Sequence, residues 1–329
     1  MKISKRISNN NIKIKKYLLV NVNIQEYLTF ILNNNGLVFH EPFFNEVVKT
    51  QFKLPFFYYA AYLENELIGF CPVYQLSNKL ILKTFELKPL YDVPYGGWIY
   101  NENLISHSEL IKKLPEGIFN KIVYYSKPIV NENISPEFTC HNTVLIDLLE
   151  NEANIWERSI NSKRRNMIRK AWKNNIIVKK YIDLSGLTIL WPILESIHKK
   201  LGYHVLNNIK YYQQLLNYYF TKKQAIVLIA FQNTVPISGI ILIGNKNMMH
   251  YWKGASLFGH PKLGQGELLQ WEAIKWAKSV GSRYYDPCVV EKENLPEIYN
   301  FKTGFSKHLI PYYLFSKSSL IFKILNKFL

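Results

Sequence analysis

Two short stretches of this chain carry residue types that could do chemistry. One is Phe301-Lys302-Thr303-Gly304-Phe305, a lysine set between two phenylalanines; the other is Tyr284-Tyr285-Asp286, an aspartate ending an apolar run. A lysine held among aromatic rings can present a fixed positive charge to a carbonyl or phosphate. A carboxylate near it can orient or deprotonate an amine. Each has a plainer reading, because a lone lysine is more often solvated and Asp286 also fits a strand-end cap. Gly264 and Gly266 stand just before a helix-like segment, Leu268 to Gly281. Glycines there can bare backbone N–H groups toward a phosphate or a developing oxyanion, although an ordinary turn uses them equally well. The eight histidines and three cysteines show neither HExxH nor CxxC spacing. GxSxG and GxxxxGK[ST] are missing, and Leu263-Gly264-Gln265-Gly266 lacks the third glycine of a dinucleotide loop. No metal site and no permanently bound cofactor are expected.

These residues belong to one organising stretch, Ala225 to Phe305. It begins with two apolar runs joined by the polar turn Gln232-Asn233-Thr234, then passes through the elbow FGHPKLGQGE into the helix-like segment and the strand candidate RYYDPCV. Strand, strand, small-residue turn, helix, strand is half of an α/β layer unit, whose helix starts lie beside strand ends. An earlier stretch, Phe56 to Tyr74, has the same plan, with the turn Glu64-Asn65-Glu66 and Gly69 where the later one has Gly239. The pattern suggests two sequential α/β halves. Between them, residues 156–175 read as one or two amphipathic helices with Trp156, Ile160, Met167 or Ile168, Ala171 and Trp172 at helical spacing. Lys163, Arg164, Arg165, Arg169, Lys170 and Lys173 crowd the rest of that surface. Further expectations are a strand at Lys16 to Asn21 and a helix LTILWPILESIHKKLG, in which Pro192 belongs to the first turn.

The formal net charge is +17. A charge of this size fits nucleic acid, an anionic membrane surface or acidic and phosphorylated substrates, and fits equally an Asn- and Lys-rich composition with no partner. Cys71, Cys140 and Cys288 suggest no disulfide framework and read as reduced, mostly core residues of a cytoplasmic protein. No apolar run is long enough to span a bilayer. The tail HLIPYYLFSKSSLIFKILNKFL reads as a last strand and packing helix, or as an amphipathic segment touching the inner face of a membrane.

The segments SINSKRRNMIRKAWK, GHPKLGQGELLQWEAIKWAKSVGSRYYDPC and IYNFKTGFS resemble the FemAB-like acyltransferases. The resemblance is strong over about residues 156 to 310 and general before that, where Tyr95-Gly96-Gly97 looks like the family's Y-G-G element. It implies an α/β fold of tandem GNAT-like halves with mixed sheets flanked by helices. The expected division is 1–155 and 156–329, with 156–175 as the basic linking helix. It also implies an N-acyltransferase moving an acyl or aminoacyl group to an amine of a sugar, peptide or lipid in cell-envelope or polysaccharide biosynthesis. The donor is acyl-CoA, an acyl carrier protein or aminoacyl-tRNA, and the absence of an inserted coiled-coil arm counts against tRNA. By this resemblance Lys302 stabilises charge, Asp286 positions or deprotonates the amine, and Tyr251 bonds acceptor or acyl oxygen. Arg165 and Arg169, with Gly264 and Gly266, hold the donor; Tyr95 and Trp98 border the acceptor. The competing reading is a non-enzymatic nucleic-acid-binding protein using the basic helix 160–175.

Overall fold

The computed structural model of the chain describes residues 11–21, 23–77, 83–87, 93–114, 120–128, 138–200, 208–288 and 292–328. Residues 1–10 lie outside them, as do Tyr91, an aromatic that the sequence places near Tyr95 and Trp98, and Gly202, the glycine that ends the expected helix LTILWPILESIHKKLG. The order begins β1 (Ile12–Tyr17), α1 (Ile24–Asn33), α2 (Pro42–Phe52), β2 (Phe56–Leu63), β3 (Glu66–Ser77), β4 (Lys83–Leu87), β5 (Ile99–Tyr100), α3 (His107–Lys112), β6 (Asn120–Tyr125), β7 (Thr139–Val144) and β8 (Ile146–Asp147). It continues α4 (Glu152–Asn154), α5 (Ser162–Lys173), β9 (Ile176–Tyr181), α6 (Leu184–Lys200), α7 (Ile209–Thr221), β10 (Ala225–Gln232), β11 (Val235–Gly244) and β12 (Met248–Ser256). It closes with α8 (Gln265–Ser279), β13 (Tyr284–Asp286), α9 (Pro296–Thr303), β14 (Leu309–Ser318) and α10 (Leu320–Phe328).

The chain forms two compact units, Met1–His141 with Pro311–Leu329, and Asn142–Ile310. Among the described residues one sheet runs β1-β2-β3-β4-β6-β14-β7, with β5 on β3, and the other runs β8-β13-β12-β11-β10-β9. The two sheets begin alike. β1 pairs antiparallel with β2 from Ile12↔Leu63 to Tyr17↔Tyr58, and β9 pairs with β10 from Ile176↔Gln232 to Tyr181↔Val227. In each, two helices separate the paired strands. Each hairpin then turns through two residues, with Glu64 and Asn233 left-handed at φ 54° and 55°. Each has its register shift at the same distance from the turn, at Ala61/Tyr62 and Ala230/Phe231. A parallel pair follows in both, β4 with β6 and β12 with β13.

The physical reasons are local. Lysines on IKIKKY and IIVKKY suit edge strands, which charged side chains protect from pairing with another chain. β10 is buried along nearly its whole length, so it reads as a continuous apolar run rather than an alternating one. In the second unit, α8 lays Leu268, Leu269, Ile274 and Ala277 on Ile226, Leu228 and Leu242 of the sheet and on Ile168 and Ala171 of α5. Each of these leucines and isoleucines contributes about 1.5–3 kcal/mol when fully buried.

Four sequence expectations are corrected. The first strand lies earlier, at Ile12–Tyr17, and Leu19–Asn21 is a short 3₁₀ turn. The single linking helix over 156–175 does not form, and the two-piece alternative holds: α4 runs into a π-turn over Ile155–Ser159, Ile160 is extended, and Asn161 caps α5 by accepting from the Arg164 N–H at 2.9 Å. Pro192 sits inside α6 because that helix begins at Leu184; its ring is exposed, and the buried face of Leu187, Leu190, Ile193 and Leu194 offsets the lost backbone hydrogen bond. Of the cysteines only Cys71 is a core residue, Cys140 being exposed and Cys288 half-buried.

Candidate active site

β12 and β13 run parallel through Met248↔Tyr284, Met249↔Tyr285 and His250↔Asp286, and their pairing ends there. Among the described residues β12 continues on β11 alone to Ser256, with a bulge between Ile241 and Leu242 that inserts Trp252 as an extra residue. A bulge re-aims the side chains around it. After Asp286 the chain turns sharply, Cys288 adopting a left-handed φ of 52° that an L side chain rarely holds. The end of the parallel pair therefore gathers His250, Tyr251, Asp286 and Cys288.

Asp286 is wholly buried and fully engaged. Its Oδ1 accepts from the Thr143 hydroxyl and the Cys288 N–H, both at 2.7 Å, and its Oδ2 lies 3.2 Å from His250 Nδ1. Burial alone would raise its pKa, but the His250 contact and these two donors together hold it below the usual carboxylate range. The Cys288 thiol, 3.6 Å from Oδ2, is pushed well up by burial and by the same carboxylate.

Lys302 arrives from α9. Its ammonium donates to the Cys288 carbonyl at 2.5 Å and lies 5.2 Å from the centre of the Tyr251 ring. Burial pushes its pKa down, against the pull of Cys288 and Asp286. Tyr251 is raised to about 12, chiefly by burial. The position of α9 is set by Arg164. The guanidinium pairs with Glu267 at 2.7 Å, donates to the Asn300 carbonyl at 3.1 Å and lies 5.0 Å from the Phe301 ring. The N–H of Asn161 also reaches the Gly304 carbonyl at 2.9 Å. Gly304 has an ordinary helical φ of −69°. Its lack of a side chain makes room, since a Cβ there would stand 2.7 Å from Arg164 Cγ.

The expected catalytic trio Lys302, Asp286 and Tyr251 is thus brought together. The other predicted residues go elsewhere. Gly264 is the left-handed N-cap of α8 at φ 90°, and a Cβ there would sit 2.0 Å from the Met167 carbonyl oxygen, so glycine lets α8 touch α5. A Cβ on Gly266 would meet only Phe301, at an ordinary 3.7 Å. Arg165 spends its Nη1 on the carbonyls of Trp156, Glu157 and Ile160, closing the π-turn. Arg169 bonds Asn166 at 2.9 Å and stacks over Trp156 at 5.6 Å. Tyr95 and Trp98 belong to the other compact unit, both wholly buried, Tyr95 edge-on to Tyr312. The sequence reading gives His250, Thr143 and Glu267 no place in the site, and it takes Cys288 for a core thiol and Arg164 for one surface cation among six. His250 adjoins Tyr251 in sequence, and that adjacency is the signal that points to it.

A family model described as an acetyltransferase (GNAT) domain matches residues 162–302, from the start of α5 to Lys302 itself. No curated protein matches the sequence. A crystal structure of FemX superposes with a TM-score of 0.66 at 13% identity, covering 96% of this chain and 99% of that one. The structure of L-PGS from Bacillus licheniformis superposes with a TM-score of 0.50 at 10% identity, covering 92% and 94%. At such identities the likeness is one of fold. The chain carries a GNAT-like acetyltransferase fold, related in architecture to FemX.

Proposed function

We propose that this protein is an N-acyltransferase that moves an acyl group from an activated donor to an amine. The observation that carries the reading is the Lys302 ammonium, seated on the Cys288 carbonyl beside Tyr251 where the parallel strands β12 and β13 stop pairing. In the reaction the amine nitrogen forms a bond to the donor carbonyl carbon, the carbonyl oxygen takes up negative charge, and the bond to the thiol or other leaving group then breaks. The amine gives up a proton, which the leaving group carries away. Lys302 offers the fixed positive charge such an oxyanion needs, Tyr251 offers a hydroxyl donor, and Asp286 orients the groups around it. The first turn of α8 leaves backbone N–H groups for donor phosphates, as the start of any helix does, and Gly266 keeps it slim. Arg165 and Arg169 have intramolecular partners and support the donor role less well. Tyr95 and Trp98, being buried, give the acceptor site little support.

The repeated strand registers and bulges of the two units support a tandem GNAT-like arrangement, in which the first unit is a second, diverged copy. The acceptor class stays as the resemblance implies, an amine-bearing sugar, peptide or lipid of the cell envelope. Among the described residues no helix is long and apolar enough to cross a membrane. Peripheral contact from the cytoplasmic side is part of the proposal, because α10 exposes Leu320, Ile321 and Ile324 together with Lys323 and Lys327. The nucleic-acid reading loses ground: Arg164, Arg165, Arg169 and Lys170 of the basic helix all have partners within the chain. The test is turnover with panels of acyl-CoAs, acyl carrier proteins and aminoacyl-tRNA against amine acceptors, repeated with Lys302→Ala. Loss of turnover at an unchanged melting point supports the reading, and unchanged turnover removes Lys302 from it.

A further inference from the structure

The geometry points to a divalent transition-metal site, of the kind that takes zinc, formed by His250 Nδ1, Asp286 Oδ2 and Cys288 Sγ. These three ligand atoms all lie within 4.8 Å of one another. The separations are 3.2 Å from nitrogen to oxygen, 3.6 Å from sulfur to oxygen and 3.8 Å from sulfur to nitrogen. Zinc bonds of ~2.3 Å to sulfur and ~2.0–2.2 Å to nitrogen and oxygen, at tetrahedral angles, require edges of about 3.6 Å to sulfur and about 3.4 Å between nitrogen and oxygen. The triangle is therefore one face of a zinc tetrahedron, already set to within a few tenths of an ångström.

The surroundings fit the same reading. Asp286 divides its two oxygens: Oδ1 takes the Thr143 hydroxyl and the Cys288 N–H, while Oδ2 faces histidine and thiol. Outer hydrogen bonds that fix a ligating carboxylate and leave one oxygen for the ion are what metal centres use. The strained φ of Cys288 turns its side chain back toward Asp286 and so closes the triangle. One carboxylate and one thiolate neutralise a divalent ion, so the Lys302 ammonium at the Cys288 carbonyl faces a centre of no net charge. Three protein ligands leave a fourth position for solvent or a substrate oxygen. Binding transfers the thiol proton to solvent, one per ion.

The inference rests on ligand geometry and not on acyl transfer, so its test uses no turnover. The full chain, freed of metal by chelator and dialysis, is titrated with zinc by calorimetry and with cobalt by absorbance. The expected result is one ion per chain, a thiolate-to-cobalt charge-transfer band, and proton release on binding. Cys288→Ser and His250→Ala abolish the band. Thr143→Val weakens binding about 10–100-fold, as the loss of an outer partner of a ligand does. Cys140→Ser, removing an exposed thiol that adjoins His141, leaves binding unchanged. Metal-free melting curves of Cys288→Ser and Cys140→Ser that match the parent keep the comparison about ligands. No uptake, uptake that survives Cys288→Ser, or uptake that vanishes with Cys140→Ser overturns the proposal.

Discussion

The ion pair between Arg164 and Glu267 fixes the guanidinium that also holds the helix carrying Lys302. Its atoms are 2.7 Å apart, and each side chain keeps only 10% of its surface. The same guanidinium holds the Asn300 carbonyl and the Phe301 ring, on the helix that carries Lys302. Arg164→Met removes the cation and leaves the Glu267 carboxylate buried opposite a thioether. Breaking a buried pair from one side costs about 3–5 kcal/mol. For a unit of this size each kcal/mol lowers the melting point by about 2–4 °C, so a fall of roughly 6–20 °C is expected. The double variant Arg164→Met/Glu267→Leu, in which no charge is stranded, should recover most of that loss. Tryptophan fluorescence reports the right region, because Trp156, Trp172, Trp191, Trp252, Trp271 and Trp276 lie in the second unit and only Trp98 lies in the first. Urea unfolding of the parent, both single variants and the double variant gives the coupling energy directly. If Arg164→Met costs less than about 1 kcal/mol, the range of an exposed pair, the pair does not hold α9 in place. A double variant as unstable as the sum of the singles would refute the reasoning just as firmly.

Lys302→Ala or Lys302→Met should lower kcat about 10²–10³-fold on whichever donor is turned over, the usual cost of one oxyanion donor, with the fluorescence-monitored midpoint little changed; an effect confined to KM would remove it from the chemistry. Gly264→Ala should destabilise the second unit by more than the 1–2 kcal/mol of left-handed strain alone, because its Cβ would strike the Met167 backbone at 2.0 Å, whereas Gly266→Ala should be mild; equal midpoints for the two refute the close-approach account. In the first unit, burial pushes His40 down to about 4 and His107 down to about 3. The unfolded chain takes up protons at these residues near pH 6.5 and the folded one does not, so stability is complete above that pH and falls below it. The slope is about 1.4 kcal/mol per pH unit for each histidine, continuing to pH 4 for His40. Calorimetry from pH 7 to 5 should show the loss, a His107→Phe variant should show roughly half of it, and a flat profile would count against buried neutral histidines.

Local chemistry made several elements legible without any tertiary information. The hairpin turns at Glu64 and Asn233, the helix ahead of Gly281 and the lysine between Phe301 and Phe305 are written in contiguous residues, because turns and amphipathic helices are decided over a few positions. The resemblance to FemAB-like enzymes rested on such contiguous stretches, and the family model covers the same span. Pairing across sequence distance was not legible. Nothing in the order of residues says that Thr143 bonds Asp286, or that Arg164, one cation among six on its helix, is the one turned inward to Glu267. Spacing rules look for metal ligands along one segment, so they could not register His250 and Asp286 facing each other across parallel strands, with Cys288 folded back by its own φ. The sequence by itself determined which residues could bear charge and where helices and turns begin. Only the tertiary structure decided which charges are buried together, because desolvation and pairing depend on neighbours that the chain brings in from far along its length.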